Sequence, residues 1–205
     1  MNDFNDDFNI DKMSEILFTF HKAISTFKQA NSLLSNDSLN EIRKVEVHAL
    51  LLATRIDVTI CFKNIKLGIN KYEGCFYLNI AFMKMYEIME SLLKIITKKE
   101  NPLYYNPHQE SKAEILKIVN RWKKLYGDWA RAKRNYSTAH YEPDFFRYIN
   151  TGYMEINPAK NQECFLSFYK AMEQILESMN KYDPMDSKYV QMDIEKYRER
   201  DNTIV

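Results

Sequence analysis

At 205 residues the chain has the length of one domain with a core of its own. Its 29 Lys and Arg balance 28 Asp and Glu, so bulk charge gives no pull toward nucleic acid or an acidic surface. Three cysteines, Cys61, Cys75 and Cys164, without a CxxC pair, argue against a disulfide scaffold and read as reduced, buried thiols of a cytoplasmic protein.

Four glycines and five prolines punctuate the chain, with Gly68 and Gly74, Pro102 and Pro107, and Pro143 and Pro158 falling in pairs. Long stretches of helical period lie between them. A first helix over about 12–34 has Met13, Leu17, Phe20, Ile24 and Phe27 on one side. A second, over about 38–68, carries Ile42, Val45, Ala49, Leu52 and Ile56, with Ser38 and Glu41 spaced as a capping box. A third, over about 75–98, has Leu78, Phe82, Met85, Met89, Leu92 and Ile96. A fourth, over about 111–139, has Ile115, Ile118, Trp122, Leu125, Trp129, Ala132 and Tyr136, with Gly127 inside it. A fifth, over about 160–181, has Phe165, Phe168, Met172, Ile175 and Met179. Five such helices with short connections pack as an all-α, up-and-down antiparallel bundle. The expected bundle spans 12–181 and is followed by a polar C-terminal tail over 182–205. The ten methionines read as adaptable core filler. The apolar run Ala49–Ala53 is far too short to span a bilayer, and no charged-then-apolar leader is visible. The expectation is a soluble, cytoplasmic protein with no membrane partner.

Charge is uneven along the fourth helix. Residues 111–140 hold eight basic side chains and two acidic ones, Glu114 and Asp128. Lys117, Arg121, Lys124, Asp128, Arg131 and Asn135 recur at spacings of four and three away from the apolar stripe, with Arg134 near that row. Every bundle helix needs a solvated face, but this excess of basic groups also suits a strip that attracts phosphate. The strip leads to Arg134-Asn135-Tyr136-Ser137-Thr138-Ala139-His140 and then to a loop rich in rings, beginning at Tyr141. An arginine and a histidine suffice to cleave RNA without a metal. The histidine moves protons, and the arginine stabilises charge on the phosphate in flight. On one straight helix, residues six apart diverge by about 120°. Pro143 makes a helix break between the two plausible, and such a break would let them converge. The rings suit stacked RNA bases and equally suit plugging the end of a bundle.

The Arg134-Asn135…His140 motif, set before the last long helix of a helical bundle, resembles the HEPN superfamily. Arg131 and Lys133 just ahead of it are similar to the basic residues of abortive-infection and toxin members. The resemblance covers about 12–181. It implies a metal-independent endoribonuclease whose composite site forms across a two-fold homodimer. It further implies His140 as the acid–base group, Arg134 as the phosphate and transition-state binder, and Asn135 as a polar orienter. Lys117, Arg121, Lys124, Arg131, Lys133 and Tyr141 would bind the RNA, and an antitoxin protein is a possible partner. Some toxin members carry a modified tyrosine two places after the histidine. Here that place is Glu142 and the tyrosine is Tyr141.

A second pair, Arg43 and His48, has similar spacing but lies inside the second helix and lacks Asn or Asp after its arginine. His48 reads as a bundle histidine. The four histidines show no zinc-ligand spacing, no Glu-x-x-His pair supports a di-iron bundle, and no Gly-rich phosphate loop occurs, so no metal or cofactor is expected. Two other functions fit the same residues: a non-catalytic bundle binding nucleotide or RNA, and a protein-interaction module.

Overall fold

The computed structural model describes residues 10–29, 36–67, 70–137, 150 and 157–184. Within them run α1 (Ile10–Gln29), α2 (Asn36–Leu67), α3 (Lys71–Thr97), α4 (Gln109–Trp122), a π-helical turn (Lys123–Gly127), α5 (Asp128–Ser137) and α6 (Pro158–Tyr182). Trp122, Lys123 and Asp128 all keep right-handed helical dihedrals, so α4, the π turn and α5 form one continuous rod. The protein is therefore an all-α bundle of five helical rods, without strands among the described residues.

Helix directions follow from contacts far apart in sequence. Thr59 of α2 meets Tyr169 of α6, and Lys44 near the start of α2 meets Asp183 just past the end of α6, so these two helices are antiparallel. Glu114 meets Tyr182 and Trp129 meets Asn161, which sets the α4–α5 rod against α6 in the same way. α1 packs on α2. Leu51, Phe82, Met89, Leu92, Val119, Trp122, Phe168 and Ile175 form the centre of the core. Full burial of each such side chain contributes roughly 1.5–3 kcal/mol. Trp122 meets Phe168 edge-on with centroids 6.1 Å apart, and Phe82 meets Phe165 at 5.7 Å. Met85, Met89, Met172 and Met179 are fully enclosed here, as adaptable core filler should be.

The helix starts differ from expectation for local reasons. α2 begins at Asn36, so Ser38 lies within the helix, fully buried, and does not cap it. α3 begins at Lys71, where Asn70 accepts a hydrogen bond from the Glu73 amide at 2.9 Å. Gly74 therefore sits in the first turn of α3 rather than ahead of it. α6 begins at Pro158, whose missing amide costs nothing at a first helical position. Asn157 caps it by accepting from the Lys160 amide at 3.0 Å.

One end of the bundle is tied by a buried cation. Lys44 is 1% exposed, and its Nζ donates to Glu41 at 2.7 Å and to the Pro184 carbonyl at 2.9 Å, with Asp183 at 3.1 Å. The fully buried Tyr105 donates its hydroxyl to the same Asp183 carboxylate. The α3–α4 connection, the start of α2 and the end of α6 are thus joined through one network.

Candidate functional site

Burial along the α4–α5 rod keeps an ordinary helical period through the π turn. Before the turn, Ile115, Val119 and Trp122 are buried. Within and after it the buried row is Tyr126, Ala130 and Lys133. From Ile115 an ideal helix returns to the same face at Lys133 after about five turns, whereas the seven-residue repeat read from the sequence picks Leu125, Trp129 and Ala132. Leu125 is 56% exposed, and Lys133 is 1% exposed.

Lys117, Arg121, Lys124 and Arg131 are exposed, on one continuous rod. Lys133 does not join them. Its ammonium lies 5.3 Å from the Trp129 ring centroid, and Lys160 of α6 approaches the same ring at 4.6 Å. The Trp129 indole N–H donates to Asn161 at 3.0 Å, so the ring is fixed between two cations.

Arg134 stands in the last turn of α5, partly exposed. Its Nε lies 3.4 Å from Glu87 of α3, and its guanidinium lies 5.9 Å from the Tyr86 ring centroid. Asn135 is helical, but its side chain lies outside the described residues, as do His140 and Tyr141 entirely. The convergence of Arg134 and His140, and the ring-rich loop after them, fall outside the description too.

The second Arg–His pair is in view throughout. Arg43 pairs with Glu46 one turn on. His48 is buried, with Nδ1 3.0 Å from the Lys44 carbonyl, while Nε2 has no partner among the described residues. Neither side chain opens onto a cavity among those described.

Residues of α6 that were not expected to matter complete a groove against α4. It encloses about 680 Å³. Lys117 and Arg121 line one wall, and Lys170 and Lys181 line the other. Eleven residues make just over three helical turns, so Lys170 and Lys181 share a face, a spacing legible in the sequence. Glu114, Glu163 and Glu177 line the same groove and offset much of this charge. Trp122 Nε1 and Ser178 Oγ, on buried side chains of the lining, have no hydrogen-bond partner among the described residues. Among the described residues, no group of three His, Cys, Asp or Glu side chains is placed to hold a metal ion, and no helix is long and apolar enough to cross a membrane.

Fold and site together define an all-α bundle with a basic face on its fourth rod and a mixed-charge groove beside it. No family model, curated protein or solved structure matches the chain.

Proposed function

We propose that the protein is a HEPN-type, metal-independent endoribonuclease that draws RNA along the exposed face of the α4–α5 rod. The observation that supports this reading most is the position of Arg134. It is a partly exposed guanidinium in the last turn of a rod whose outer face carries Lys117, Arg121, Lys124 and Arg131. The basic row supplies phosphate contacts that position RNA without reading its sequence. Arg134 would stabilise the phosphate in flight, and His140 would exchange protons with the ribose and leaving-group oxygens. In-line cleavage needs both a base and an acid, and each chain offers one candidate histidine. The complete site would then form in a two-fold homodimer, and a strict monomer by light scattering would count against it. A toxin or phage-defence role, with a protein antitoxin, belongs to the same proposal.

Incubation with RNA in EDTA tests the chemistry. Cutting should persist, and the products should carry 2′,3′-cyclic phosphate and free 5′-hydroxyl ends, because the attacking group is the ribose 2′-oxygen. Activity that disappears with chelation would contradict the proposal. The Arg134–Glu87 ion pair favours a second reading, in which the arginine is structural and the bundle binds RNA or another protein without cutting. Salt-sensitive RNA binding without cleavage would support it.

A further inference from the structure

A cavity of about 390 Å³ lies at the end of the bundle where α2 finishes and α3 and α6 begin. This volume is within the range of small-ligand sites, roughly 300–1,000 Å³. Its walls are mostly apolar. Phe62, Phe165 and Tyr169 supply rings to it, and Ile65, Leu78 and Leu166 supply aliphatic surface. Phe62 and Phe165 stand 5.5 Å apart between centroids. The Tyr169 hydroxyl is already bonded to Thr59 at 2.9 Å, so the tyrosine offers its ring and not its oxygen.

Charge at the cavity is one-sided. Lys66 and Lys71 belong to the lining, and no carboxylate does among the described residues. The Lys66 ammonium sits 4.6 Å from the Phe62 ring centroid, against the apolar wall. Lys71 opens α3, and Pro158, also in the lining, opens α6, so two helix N-termini with their partial positive charge face this end. The opposing α2 C-terminus carries Lys66 in its last turn. Gly74 adds space: a Cβ added there would meet no heavy atom within 4 Å.

We propose that this cavity binds a single-chain amphipathic anion, a fatty carboxylate, with its tail among the rings and its head between Lys66 and Lys71. The site is separate from the basic face of the α4–α5 rod and does not depend on the ribonuclease reading.

Calorimetric titration of the full chain with laurate, below its micelle concentration, tests this, with dodecanol as the uncharged comparison. Saturable binding of laurate at one site per chain is expected, at least about tenfold tighter than dodecanol. Gly74→Leu places a good helix former on the wall and should weaken laurate at least about tenfold without lowering the unfolding temperature. The double substitution Lys66→Met and Lys71→Met leaves the cavity volume nearly intact, and it should weaken laurate while leaving dodecanol unchanged. Equal affinity for laurate and dodecanol would overturn the proposal. So would absence of laurate binding to the wild-type chain, as when the cavity is filled by other parts of the molecule. Binding to anionic phospholipid vesicles without binding of monomeric laurate would overturn it as well.

Discussion

Burial sets the acid–base behaviour of several single residues. It pushes the Cys61 thiol up to about 11, with Asp57 adding to the shift and Lys84 opposing it. Burial pushes the Tyr169 phenol up to about 12, against the hydrogen bond with Thr59 and the charge of Arg55. Cys164 is raised still further, again chiefly by burial. Each group holds its proton more tightly in the folded chain than in the unfolded one. The resulting stabilisation is whole below their ordinary values, 9.0 for the thiols and 10.0 for the phenol, and is lost as pH rises through the folded values. For Tyr169 the loss should amount to roughly 2–3 kcal/mol. Thermal melts of the reduced protein should therefore fall from about pH 9 upward. Tyr169→Phe keeps the ring and removes the titrating group, so the stability gap between variant and wild type should narrow between pH 10 and 12. A gap independent of pH over that window would contradict this assignment.

The α4–α5 rod shows where helical elements obey their sequence and where they depart from it. Apolar residues at spacings of three and four made every rod legible, because that spacing is the physical requirement for burying one face. The π turn was not legible, since no residue type demands an extra residue in a turn. Gly127 was the one local mark, and it lies inside that turn. The error of register came instead from reading a seven-residue repeat, which drifts from the 3.6-residue helix by about 20° per heptad. Leu125 was expected in the core and is exposed, whereas Lys133 was grouped with the basic strip and is enclosed. Gly127 has no steric need to be glycine, because an added Cβ would meet only the Lys123 Cβ at 3.5 Å, an ordinary contact. Gly127→Ala should therefore raise stability by up to about 1 kcal/mol through reduced backbone freedom in the unfolded chain. Urea unfolding would show this as a higher midpoint at unchanged slope. A loss of more than about 1 kcal/mol would mean that the turn depends on the missing side chain. The caps Asn70 and Asn157 could have been read from their place just before helical patterns. Ser38 seemed a better cap than it is, because Asn36 and Asp37 ahead of it also sustain helix.

For the molecule as a whole, architecture was far more legible than the site. Five amphipathic stripes and short connections constrain a bundle strongly, since each stripe must find another to cover it. A site depends instead on a few side chains whose meeting is set by helix ends and by packing between distant segments. Arg134 lies in the last turn of α5, and its carboxylate partner, Glu87, comes from α3 and had no signal in the motif. Lys170 and Lys181 enter the groove only because α6 packs beside α4. The central claim is that Arg134 and His140, not Arg43 and His48, form the working pair. The most direct measurement is RNA cleavage in EDTA by four folded proteins: wild type, Arg134→Ala, His140→Ala and His48→Ala. A loss of about 10²–10⁴-fold is expected for His140→Ala and on the order of 10²–10³-fold for Arg134→Ala. Cutting by His48→Ala should stay near wild type. Abolished cutting in a folded His48→Ala protein, with His140→Ala still active, would contradict the claim.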